Sequence, residues 1–237
     1  MPNGTLQIMV NLTGDSFTLL DRTDGRVSGS VRGALVAGPH SRASVIDASS
    51  PDRLIGVAFK PGGAFPFLGM PAGELCDQCP PLEALWGARA GELRERLLEA
   101  PDAAARFRVL ERALLFEGRQ LGRHPAVAYA LARFQSRDRT PTVAEITERV
   151  GLSARHFIQL FGGEVGLTPK LYSRIRRFQN VLAVVHRRPS ADWADVATSA
   201  GYYDQAHLIH DFRDLGGLTP SAYLARQTSF VNHVRVD

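Results

Sequence analysis

The feature that most constrains this chain is a pattern that occurs twice towards its C-terminus. Residues 143–172 read VAEITERVGLSARHFIQLFGGEVGLTPKLY, and residues 196–223 read VATSAGYYDQAHLIHDFRDLGGLTPSAY. Gly151 aligns with Gly201, Phe161 with Phe212, Gly166 with Gly217, and Thr168-Pro169 with Thr219-Pro220. The period is about 50 residues, long enough for one supersecondary unit per copy. A slip of one residue separates the copies between the turn glycine and the phenylalanine.

Within the second copy, Ala197, Ala200, Leu208, Phe212 and Leu215 recur at helical offsets, which predicts two short amphipathic helices. Gly201 stands where the first must stop, in the left-handed conformation such stops demand. Asp204 is placed to cap the second, and Pro220 suits the first turn of a further helix. One copy alone fits a buried helical hairpin as well as a helix-turn-helix unit. Two copies joined by one long helix favour a DNA reader that spans two successive grooves.

The residues Ala200, Gly201-Tyr202, Asp204, Ala206-His207, Phe212-Arg213, Gly217-Leu218-Thr219-Pro220 and Tyr223 make the C-terminal hundred residues resemble the DNA-binding domain of the AraC/XylS family of bacterial transcription regulators. The first unit departs from that pattern at Thr147 and Gln159, which bears on the DNA sequence read rather than on the architecture. The resemblance implies a cytoplasmic regulator of transcription with double-stranded promoter DNA as its partner. RNA polymerase, a small-molecule effector and a second copy of the chain are the further partners such a regulator would have.

The unit geometry nominates the contacts. In the first unit Ser153 caps the recognition helix, and Ala154, Arg155, His156 and Gln159 lie on its outer face. In the second, Asp204, Gln205, Ala206, His207 and His210 occupy the N-terminal turns that recognition helices present to bases. Arginine can bind guanine through two hydrogen bonds and glutamine adenine. Arg213 is expected to contact phosphate or to pair with Asp211 or Asp214. A linking helix over residues 170–188 carries Leu171, Ile175, Phe178, Leu182 and Val185 at helical spacing. Its Arg174 and Arg177 are suited to phosphate, and its length should hold the recognition helices about 34 Å apart, one turn of DNA. Phe157, Phe161, Phe212 and Tyr223 read as core, and one of Tyr202 and Tyr203 should pack while the other approaches phosphate.

The N-terminal half reads differently. Short apolar or alternating runs at 6–10, 16–20, 26–31, 33–38, 43–47 and 53–59 are separated by turn residues, as in an antiparallel sandwich or open barrel. Residues 59–69 read as a loop or sheet edge. Helices are expected over 71–77, 81–99 and 103–117, the last with Phe107, Leu110, Leu114 and Leu115 on one face, and over 126–135. Residues 118–125 (GRQLGRHP) are the linker candidate. Val36-Ala37-Gly38-Pro39, Leu54-Ile55-Gly56-Val57, Lys60-Pro61-Gly62-Gly63, Leu68-Gly69 and Leu85-Trp86-Gly87 make this half similar to the cupin-like sensor region of an AraC-type subgroup. The expected fold is therefore α+β. A β-rich, cupin-like partial barrel with helices over 1–120 would sense or dimerise. An all-α DNA-binding domain would follow over 121–237, with helix-turn-helix units near 142–166 and 192–217.

Composition serves as a check. Residues 1–120 carry 13 Lys and Arg against 14 Asp and Glu, residues 121–140 four against one, and residues 141–237 eleven against nine. The positive excess thus lies where phosphate contact is expected. No stretch approaches the apolar length of a membrane span, and the N-terminus lacks the pattern of a secretory signal. Cys76 and Cys79 are the only cysteines. Their CDQC spacing suits a metal or a redox pair, but zinc needs four ligands and no second Cys or His pair stands at ligand spacing nearby. They read as ordinary cysteines. A catalytic cupin needs clustered His and Glu, whereas the strands offer only His40 and no Glu before Glu74. No enzyme, cofactor or metal is therefore expected. The alternative is a cupin-like small-molecule-binding protein or enzyme whose helical half contacts other proteins.

Overall fold

The structure is a computed structural model. It describes residues 1–14, 16–21, 25–45, 54–118, 122–136, 141–188, 190 and 192–235.

Among the described residues, five strands form two small antiparallel sheets. β1 (Gln7–Asn11) lies between β4 (Ala34–Ala37) and β5 (Leu54–Ala58), with Ile8 opposite Val36 and Val57. β2 (Ser16–Leu20) and β3 (Val27–Arg32) make the second sheet. Alternation in β1 buries Ile8 and Val10 on one face, the period-two pattern of a half-buried strand. The sheets are partial and do not close into a barrel among the described residues.

The run at 43–47 departs from expectation. Residues 43–45 form no strand, and 46 and 47 lie outside the described residues. The Ala43 N–H is instead spent on the Leu215 carbonyl at 2.7 Å, far along the chain. Residues 59–69, expected to be irregular, contain one helical turn, α1 (Phe65–Leu68), closed by Gly69. A 3-10 turn, Ala72–Leu75, follows. The single helix expected over 81–99 is two, α2 (Glu83–Trp86) and α3 (Arg89–Glu99), because Gly87 turns the chain at φ 61°. α4 (Ala103–Glu117) begins at Asp102, which accepts the Ala105 N–H at 2.7 Å. Its apolar residues do not share one face. Leu110 is buried while Phe107 and Leu115 are 60% and 76% exposed, since Leu115 stands roughly 140° around the helix from Leu110.

The remaining helices are α5 (Pro125–Gln135), α6 (Val143–Val150), α7 (Ala154–Val165), α8 (Pro169–Arg187), α9 (Trp193–Ser199), α10 (Gln205–Gly216) and α11 (Pro220–Arg226). Two apolar cores result. One joins β1, β4 and β5 to α1–α4 through Ile8, Val36, Leu68, Trp86, Leu93 and Leu110. The other runs from α5 to α11 around Phe157, Phe161, Tyr172, Phe178, Phe212 and Tyr223. Their aromatic rings meet edge-on or tilted, with centroids 5.0–6.0 Å apart, the arrangement their quadrupoles favour.

Candidate nucleic-acid interface

Each repeat builds the same object. The first unit starts with a capping box, in which Thr142 accepts the Glu145 N–H while Glu145 accepts the Thr142 N–H. Asp192 caps α9 in the same place. Gly151 ends α6 at φ 68°, whereas α9 ends at Ala200 and Gly201 follows at φ 81°. The recognition helices are then capped by Ser153, which accepts the His156 N–H at 3.3 Å, and by Asp204, which accepts the His207 N–H at 2.8 Å. Gly166 and Gly217 end them. The one-residue slip falls in the turn, where Gly-Leu-Ser faces Gly-Tyr-Tyr-Asp. Tyr202 takes the packed place of Leu152, and Tyr203 is 91% exposed.

α8 is the common support. Thr168 caps it, and its Tyr172, Ile175, Phe178, Val181, Leu182 and Val185 are buried. Tyr172 meets Phe161 of α7, and Phe178 meets Phe212 of α10. One helix thus carries both recognition helices.

The N-terminal half touches these helices at their C-terminal ends. The space a side chain would need at Gly166 is filled by Pro39 and the Ala72 carbonyl, and Gly73 packs against the Gly162 carbonyl. Besides the Ala43–Leu215 bond, Arg42 Nη2 lies 2.9 Å from Asp214 Oδ1. The opposite, N-terminal turns are left open. Ser153, Ala154, Arg155, His156 and Gln159 are exposed, as are Asp204, Gln205, Ala206, His210 and Arg213. His207 is half-buried, its ring edge-on to Tyr202.

Ser153 and Asp204 cap their own helices as expected. Two nominated arginines sit in different company from that expected. Arg174 donates from Nε and Nη2 to Asp211 Oδ1 at 3.2 and 2.6 Å, and from Nη2 to Asp214 Oδ2 at 2.8 Å. The pairing expected of Arg213 is thus made by Arg174, because Arg213 points outward from α10 while Arg174 faces it from α8. Arg177 stands over the Tyr202 ring at 5.2 Å. Burial works against the Arg174 charge, but the two aspartates outweigh it and hold its pKa up. Asp214 is held below the ordinary carboxylate value, first by its bond from Arg174.

Sequence reasoning overlooked Arg42 and named Asp211 only as a partner for Arg213. Arg42 carries no local signal, because its partner is remote in the chain. Asp211 does carry one. It lies at the i+3 place of the apolar series Leu208, Phe212 and Leu215, where a charge must find a partner.

The CDQC segment helps to hold a neighbouring loop. Asp77, at φ 58°, accepts the Ser41 N–H at 2.8 Å and so holds the loop that carries Arg42. Burial, with the Asp77 charge next, pushes the Cys76 thiol up to about 11, and burial also raises Cys79. Neither is a ready thiolate at neutral pH. No cluster of three or more His, Cys, Asp or Glu able to hold a metal occurs among the described residues, and no helix among them is long and apolar enough to cross a membrane.

Two family models match the chain. One, of a helix-turn-helix domain, covers residues 146–226, and the other, of a domain of unknown function (DUF6597), covers residues 1–81. No curated protein matches. The chain is similar to the solved C-terminal domain of AraT, a response regulator from Geobacillus stearothermophilus, at 18% identity over 46% of this chain and 92% of that one, with a TM-score of 0.39. It is also similar to ToxT from Vibrio cholerae O395, at 11% identity over 94% and 91%, with a TM-score of 0.47. A third similar structure, wild-type ToxT from Vibrio cholerae strain SCE256 bound to an unsaturated fatty acid, is 12% identical over 92% and 86%, with a TM-score of 0.44.

Proposed function

We propose that the chain is a DNA-binding transcription regulator of the AraC/XylS family, and that α7 and α10 enter successive major grooves on one face of promoter DNA. One observation carries this. Two capped helices on a common support leave their N-terminal turns exposed, while the N-terminal half is docked at their other ends. Arg155 and Gln159 of α7, and Gln205 and His210 of α10, supply donors and acceptors for base edges. Ala154 and Ala206 make close apolar approach, the exposed Arg213 and Tyr203 serve phosphate, and Ser153, Asp204 and His207 shape the entering turns. Arg177 is close enough to the second turn to serve phosphate beside Tyr202.

In this reading residues 121–237 are the DNA-binding domain and residues 1–120 the sensing or dimerising one. An effector acts by favouring one arrangement of the halves over another. The protein works in the cytoplasm, recruits or blocks RNA polymerase, and needs no catalytic step.

The test is binding of the full chain to a mixed-sequence duplex, followed by selection of its preferred site from a random pool. Affinity should fall steeply with salt, by a log-log slope of roughly 0.9 per phosphate contacted. Arg155→Ala and Gln205→Ala should each cost about 1–3 kcal/mol on the selected site and relax discrimination at one position. Salt-insensitive binding, or full affinity in both variants, would remove these two helices from the interface.

A further inference from the structure

The second recognition helix is fixed to the linking helix by charge, and the first is not. Asp211 is 1% exposed, on the face of α10 that turns to α8. Arg174 grips it with two nitrogens and holds Asp214 one turn on. The Tyr202 hydroxyl is buried in the preceding turn without a hydrogen-bond partner among the described residues. In the first unit the equivalent positions are Leu160 and Gly163. There α7 is held by Phe157 and Phe161, with Phe161 packed on Tyr172.

A half-buried leucine therefore suffices at this place in the fold. A buried ion pair contributes little more stability than an apolar replacement, but a guanidinium that holds Asp211 Oδ1 and Asp214 Oδ2, a turn apart on α10, fixes angle as well as distance. Gln205 lies roughly 9 Å along α10 from Asp211. A tilt of about 10° at the grip displaces that tip by about 1.6 Å, more than a hydrogen bond to a base tolerates. The geometry points to Arg174 and Asp211 as positioning residues that aim the tip of α10 at its half-site, and not to Arg174 as a phosphate contact. The inference rests on the DNA-binding function proposed above.

The experiment compares the full chain with Arg174→Ala, Arg174→Lys and Asp211→Asn. Binding is followed by fluorescence anisotropy across a salt series. The probes are the duplex selected by the wild-type protein and versions with bases changed in either half-site. Affinity should fall by about tenfold or more, with the slope of log K against log salt unchanged. Base changes in the α10 half-site should lose their effect while those in the α7 half-site keep theirs. A phosphate contact behaves oppositely, lowering the slope by about one and leaving base discrimination intact. That result, or wild-type binding by all three variants, overturns the assignment. If Arg174→Ala strands Asp211 and fails to fold, the other two variants decide. Failure of the wild-type chain to bind any duplex sinks the regulator function and this inference with it, whereas failure among the variants alone leaves the function standing.

Discussion

Asp214 shows how one carboxylate serves two masters. It takes Arg174 from within the DNA-binding half and Arg42 from the β-rich half. Its folded pKa lies below the ordinary value, first because of the Arg174 bond and then, against the burial cost, because of nearby cations. The sign of the pH effect follows. A depressed carboxylate contributes stability that is complete above its unfolded pKa, near 3.9, and lost as pH falls through the lower folded value. Urea unfolding midpoints of the wild type should therefore drop more steeply than those of Asp214→Asn between about pH 5 and 3. Superimposable acid limbs would show the pairs to be energetically idle. Arg42 itself is 58% exposed, so its own share is small. That an acidic residue at 211 or 214 needed a cation was legible from the apolar register. Which cation answered was not, since Arg174 lies 37 residues from Asp211.

At the scale of elements, the repeat made the helices legible. Cap, apolar spacing and glycine stop coincide in both copies, and each signal is local. Asp204 separates two roles that one side chain holds, since it caps α10 and also places a carboxylate at the proposed DNA surface. Asp204→Ala should cost about 1 kcal/mol of stability through the lost cap. Asp204→Asn should keep stability within a few tenths, because asparagine caps as well, and should tighten DNA binding by removing negative charge near phosphate. Calorimetric unfolding and duplex titration of the pair check this, and equal destabilisation by both would mean that charge, not capping, holds the helix. The β-rich elements were less legible. Residues 43–45 have a strand's composition, yet their Ala43 N–H finds a partner on α10. The face of α4 was misjudged because a 15-residue helix that buries little more than Leu110 lets apolar side chains stand in solvent.

In the whole molecule, the two halves meet through backbone-close packing as well as through side chains. Gly166 and Gly217 occupy equivalent stops, at φ +85° and +71°, but a methyl at Gly166 would stand 2.5 Å from Pro39 Cγ while one at Gly217 would meet open space. Gly217→Ala should therefore cost about 1–2 kcal/mol, the strain of a left-handed alanine. Gly166→Ala should cost about 2–4 kcal/mol, because overpacking at the junction is added. Urea denaturation of both variants measures the difference, and equal losses would mean that the halves part easily.

The sequence by itself determined the paired helix-turn-helix units, their caps and stops, the supporting helix and the exposed residues at both tips. All of these depend on contacts within a few turns of helix or on a repeat visible as text. Only the tertiary structure decided that Arg174 faces inward to Asp211, that Arg42 reaches the second unit and that the β-rich half leaves both tips open. Those facts depend on which surfaces meet across long stretches of chain, where no local spacing records the partner.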